Sequence, residues 1–155
     1  MGENLMALNA FSVRTAFDIE QEERDTEQYS PLELAFLGDA VQEIVVRTLL
    51  LETSSEKPSK LHAHSSHLVR AHSQALILDS IEDLLSESEK DLARRGRNAK
   101  SGTRAKNASI LDYRKATGFE ALLGGLFLKG EDDRIMYLLR TGMERTGLLN
   151  KGDNI

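Results

Sequence analysis

The chain has 155 residues, 40% of them hydrophobic, with a formal net charge of −5 and no cysteine. That length suits one domain with a sizeable core, and the lack of cysteine excludes disulfides and thiolate metal sites. The acidic balance argues against a generic nucleic-acid binder, whose domain is usually basic, and no apolar run reaches the roughly 20 residues of a membrane span.

Residues 1–28 show neither a basic start with an apolar core nor an acid-poor character, so no targeting signal is visible, and they read as a loosely ordered extension. Ser30 and Pro31 make a cap and first-turn pair. Apolar residues at helical spacing from Leu32 to Leu49 then predict a helix to about Glu52. "TSSEKPS" breaks it. A second periodic stretch covers about 59–85, bent or split near Ala71–Ser73, and Ser86 with Glu89 forms a capping box for a short helix ending near Arg95. The loop "RGRNAKSGTRAKNAS" follows. Two helices over about 111–129 and 131–146 stop at Gly130 and Gly147. No segment alternates strictly as a strand would, so the expectation is an all-α fold, with one domain over 29–148 and a short tail over 149–155.

Two carboxylates stand inside apolar runs: Asp39 in "AFLGDAVQEIVV" and Glu120 in "GFEALLGGLFL". A carboxylate taken out of water costs several kcal/mol unless a cation or good donors meet it. Asp39 shares a helix face with Ala35 and Glu43, and Glu120 shares one with Tyr113, Thr117 and Gly124, so carboxylates and hydroxyls could converge as oxygen ligands for Mg²⁺ or Mn²⁺. The plainer reading, about as good for either acid alone, is a helix cap or an ion pair with an arginine such as Arg47 or Arg114. Gly124 and Gly125 inside a helix point to close helix packing, preferred over a direct role in substrate binding.

Between Arg94 and Lys106 there are six cations, Arg94, Arg95, Arg97, Lys100, Arg104 and Lys106, and no acid. Small polar residues, including Asn98, Ser101 and Thr103, are interleaved, which suits phosphate binding, although a charge run alone is more often a solvated face. His62, His64, His67 and His72 place no three rings on one helical face, which disfavours a histidine metal site. A surface role suits them better.

"LAFLGDAVQE" and "FEALLGGLFL", with "RRGRNAKSGT", "YRKATGFEALLG" and "LHAHSSHLVRAHSQA", resemble the ribonuclease III catalytic-domain family, in its short bacterial branch, over about residues 32–129. The resemblance implies an all-helical homodimer cutting double-stranded RNA with Mg²⁺, or Mn²⁺ in its stead. In bacteria its role would be maturation of the large-subunit (23S) ribosomal RNA precursor in the cytoplasm. It gives Asp39 and Glu120 the catalytic and metal-binding roles, and an RNA-facing role to His62, which fits the family pattern. Leu32, Ala35 and Thr117, and the region of Pro58 and Ser59, carry no acid where the larger enzymes do, a difference shared by the short branch; Glu43 is a local substitute. The duplex-binding domain of the larger relatives is not expected. The competing expectation is a catalytically silent relative that binds structured RNA through the same basic stretch.

Overall fold

A computed structural model describes residues 7–20, 25–100 and 109–149. Among these residues the fold is all-α: α1 (Ala10–Ala16), α2 (Pro31–Thr53), α3 (Pro58–Val69), α4 (Ala71–Ile81), α5 (Glu87–Arg97), α6 (Ile110–Leu128) and α7 (Asp132–Arg145), with short 3₁₀ turns at Thr26–Gln28 and Glu82–Leu84. No helix among them is long and apolar enough to cross a membrane.

The helix ends follow local chemistry. Ser30 Oγ accepts the Glu33 N–H at 3.1 Å and Pro31 opens α2. The Ser86–Glu89 capping box starts α5, with both reciprocal bonds formed at 3.2 and 2.8 Å. Gly130 and Gly147 adopt φ of +76° and +74°, a left-handed turn that a side chain resists, and they close α6 and α7. The expected break near Ala71 falls at Arg70, whose extended backbone separates α3 from α4. Ser73 Oγ covers the exposed end of α3 by donating to the His67 carbonyl at 2.8 Å.

From Ala116 to Leu126, α6 is mostly apolar and buried around nearly its whole circumference, Glu120 apart, and a helix segment of that kind belongs in the centre. Phe119, Leu122, Leu123 and Leu126 are sealed from solvent among α2, α4, α5 and α7. Two close crossings bind the bundle. At the α2–α6 crossing, a Cβ on Gly38 would lie 1.7 Å from the Glu120 carbonyl oxygen, and one on Gly124 would lie 1.9 Å from that of Leu34. At the α5–α6 crossing, a Cβ on Gly96 would meet Gly118 Cα at 2.7 Å. Gly125 is packed against Leu92, so close packing accounts for both glycines of the "LLGG" pair.

Within the stretch expected as an extension, the described residues include a short capped helix. Asn9 and Ser12 cap α1 reciprocally, Ala10 is buried, and Arg14 Nη2 donates to the Leu128 carbonyl at 3.1 Å, docking α1 on the end of α6.

Candidate active site

The α2–α6 crossing sets the site. Because Gly38 rests on the Glu120 backbone, the next residue, Asp39, arrives beside the Glu120 side chain, close enough for the two carboxyls to share a hydrogen bond. They do so only if one holds a proton. Glu120 is the one that keeps it: burial first, then the Asp39 charge and that hydrogen bond, push it up to about 8, while a hydrogen bond from Gln74 acts in the opposite direction.

The expectation that both acids are buried needs correction. Glu120 is half-buried, but Asp39 is exposed. The reason is geometric: Gly38 occupies the crossing, so its neighbour turns to the rim and carries its carboxylate to the surface. Thr117, one turn before Glu120, is buried and gives its hydroxyl hydrogen to the Tyr113 carbonyl at 3.0 Å. Glu43 accepts from Arg47 Nε at 2.8 Å, the ion pair considered for an acid on this helix. Among the described residues, no group of three acidic or histidine side chains is placed to hold a metal, so Glu43 does not join the pair within one chain.

Gln42 and Gln74 lie inside the segments "LAFLGDAVQE" and "LHAHSSHLVRAHSQA", but sequence reasoning did not single them out. They are almost fully buried and bonded to each other, with Gln74 Nε2 donating to Gln42 Oε1 at 2.6 Å. A polar residue at a helical core position was the available sign.

The basic stretch divides. α5 runs on to Arg97, past the expected end near Arg95, because Gly96 lets it stay against Gly118; Arg94, Arg95 and Arg97 therefore ride on a helix rather than in a flexible loop. Arg94 is exposed and paired with Asp91. Arg95 turns inward, donating from Nη2 to the Tyr29 carbonyl at 2.8 Å, and its Nη1 is buried with no hydrogen-bond partner among the described residues. Arg97 is half-buried with Glu82 4.0 Å away, while Asn98, the α5 C-cap, and Lys100 are exposed. Arg114 braces this end, donating to the Arg97 carbonyl at 2.9 Å. Ser101, Thr103, Arg104 and Lys106 lie outside the described residues. His62 is exposed on α3, and His64 and His72 face Glu56 and Asp112 at 3.5 and 2.9 Å.

The ribonuclease III domain matches residues 32–131. The Mini-ribonuclease 3 of Brevibacillus brevis is 46% identical over 117 residues, 76% of this chain and 87% of that protein. The Mini-ribonuclease 3 of Clostridium tetani is 40% identical over 134 residues, 84% of this chain and 89% of that protein. A Fusobacterium nucleatum protein solved by X-ray crystallography superposes with a TM-score of 0.72 at 31% identity, covering 82% of this chain and 100% of that one. With the match spanning α2 to α6, the two helices that bring Asp39 to Glu120, the chain belongs to the ribonuclease III family, in the branch of the Mini-ribonucleases 3, and is an endoribonuclease.

Proposed function

We propose that the protein cleaves double-stranded RNA at a divalent-metal site held by Asp39 and Glu120. The observation that carries this reading is the meeting of the two carboxyls at the α2–α6 crossing. Their oxygens are hard donors of the kind Mg²⁺ and Mn²⁺ take, and a bound cation would offset the burial, and after it the Asp39 charge, that now keep Glu120 protonated. The chemistry supplied on binding such an ion is Lewis acidity toward a phosphodiester and a water nucleophile available at neutral pH.

This chain's own groups do the rest. Asp39, on the rim, faces the solvent side from which a duplex approaches, and Glu120 holds the inner side of the site. Exposed Arg94 and Lys100 meet phosphates, and the wide minor groove of A-form RNA makes recognition chiefly one of shape. The products carry 5′-phosphate and 3′-hydroxyl ends.

A homodimer completes the reading. Phe36, one turn before Asp39, is 84% exposed, and Leu32, Ile44 and Leu51 are bared on the same side of α2. Such a surface on a small domain calls for a partner, and a second copy would put two sites near one groove, one per RNA strand. The substrate in this reading is the precursor of 23S ribosomal RNA, and the setting is the cytoplasm.

The test is to incubate the purified protein with a labelled RNA duplex, with Mg²⁺ or with chelator. Cleavage is expected only with the metal, and Asp39→Asn and Glu120→Gln should abolish cutting while duplex binding persists. Cutting by Asp39→Asn at near wild-type rate overturns the site. A wild-type protein that binds duplexes but never cuts them is the silent relative instead.

A further inference from the structure

We propose that Gln74 is a positioning residue for Glu120, held in place by Gln42. The inference rests on the reading of Glu120 as a metal ligand. Gln42 on α2 is hydrogen-bonded to Gln74 on α4, and the Gln74 side chain lies within hydrogen-bonding reach of Glu120 on α6, so the three line up across the helices that surround the site.

The arrangement is directional. A primary amide nitrogen carries two hydrogens. One from Gln74 goes to Gln42 Oε1 at 2.6 Å, which leaves the second for Glu120, and the Gln42 oxygen fixes which end of the Gln74 amide faces the acid. The break at Arg70 sets the register of α4, since the Gln74 N–H bonds the Arg70 carbonyl at 3.0 Å and so starts the helix where Gln74 points inward.

The location needs such a device. Gln42 and Gln74 are 1% and 4% exposed, in positions where leucine or methionine would fill the same space without two amides to satisfy. The nearby hydroxyl on α6 cannot serve, because Thr117 gives its hydrogen to the Tyr113 carbonyl. Gln74 is therefore the donor that holds the inner carboxylate of the site while Asp39, on the rim, stays free to adjust. Groups that orient a metal ligand in this way are typically worth about 10–100-fold in metal affinity or activity.

The experiment compares Gln74→Met, Gln42→Met and the double variant Gln42→Met/Gln74→Met by calorimetric Mg²⁺ and Mn²⁺ titration, metal-free melting temperature and duplex cleavage over a range of Mg²⁺ concentrations. Gln74→Met should bind the metal about 10–100-fold more weakly, with cleavage recovering as Mg²⁺ is raised. Gln42→Met should shift affinity in the same direction by less. The double variant separates positioning from packing, because two apolar groups can replace a hydrogen-bonded pair with little loss of stability. It should melt close to wild type yet keep the weakened metal affinity. Should the double variant regain wild-type affinity along with its stability, or Gln74→Met bind metal like the wild type, Gln74 is only a core residue. If the wild type binds metal and Asp39→Asn does not, that failure belongs to this inference alone. If Asp39→Asn and Glu120→Gln also bind metal like the wild type, the metal reading of the site fails first.

Discussion

Gly38 lies so close to Glu120 that a Cβ built on it would sit 1.7 Å from the Glu120 carbonyl oxygen, so the backbones of α2 and α6 touch at the point where the two acids of the site meet. Asp39 reaches Glu120 only because residue 38 has no side chain. Helix packing and site geometry are therefore one constraint.

Gly38→Ala should thus cost more than an ordinary overpacking, at the upper end of about 1–3 kcal/mol or beyond, and should abolish cleavage even in the fraction that folds. Gly130→Ala is the control. It strains a left-handed turn but meets no atom within 4 Å, so it should lower stability by about 1 kcal/mol and leave specific activity intact. Urea unfolding and cleavage per folded molecule check both. An active Gly38→Ala would show that the crossing does not set the site.

The raised Glu120 makes the metal-free protein sensitive to pH in a defined direction. Its folded value of about 8 lies above the ordinary 4.5, so between these values the folded state holds a proton that the unfolded state has released. The stabilisation is complete below about 4.5 and is lost as the pH rises through about 8. With chelator present, the urea midpoint should fall from about pH 5 to about pH 8.5, and Glu120→Gln should flatten that fall. An identical pH profile in the variant would contradict the assignment.

Mg²⁺ should act in the opposite sense, because binding requires the deprotonated carboxylates. Its stabilisation of the wild type should grow over the same pH window, reaching about 2.7 kcal/mol at roughly 100 times the dissociation constant, and should be absent in Asp39→Asn and Glu120→Gln. Differential scanning calorimetry with and without metal measures this. Equal stabilisation of all three proteins would place the ion elsewhere.

Away from the site, Glu89 joins the α5 cap to α7 through Arg134, with bonds at 2.8 and 2.9 Å, and Arg134 also donates to the Leu84 carbonyl at 2.7 Å. The Arg134 guanidinium, through those hydrogen bonds, holds the Glu89 carboxyl below its ordinary value. Arg134→Met strands a buried carboxylate and should cost about 3 kcal/mol, the low end for a broken pair because the arginine is partly exposed. The loss should shrink as acid protonates Glu89, and cleavage per folded molecule should be unchanged.

The inward turn of Arg95 separates it from its neighbours. Arg94→Ala with Lys100→Ala should leave the melting temperature unchanged and reduce the salt dependence of duplex binding, by a slope of up to about 0.9 for each phosphate no longer neutralised if duplex RNA behaves like B-DNA. Arg95→Ala, which removes the bond to the Tyr29 carbonyl, should lower the melting temperature. A binding assay over a salt series, run beside thermal melts, tells the two effects apart.

The sequence by itself determined the all-α fold, most of the helices and the local signals that end them, and it singled out Asp39 and Glu120 as candidates. Ser30 with Pro31, Ser86 with Glu89, Gly130 and Gly147 act within one turn of the chain, so their effect is readable from neighbours alone. The motifs around Asp39 and Glu120 were legible for the same reason: each is contiguous. Tertiary structure decided which of those acids is exposed, that the arginines of "RRGR" ride on a helix with Arg95 turned inward, and that the extension carrying Arg14 docks on α6. It alone joined Gln42 to Gln74 across 32 residues, Glu89 to Arg134 across 45, and Arg95 to Tyr29 across 66. Such pairings depend on where two helices cross and which side of each is buried, and glycine-to-backbone crossings set that at distances along the chain no local pattern spans.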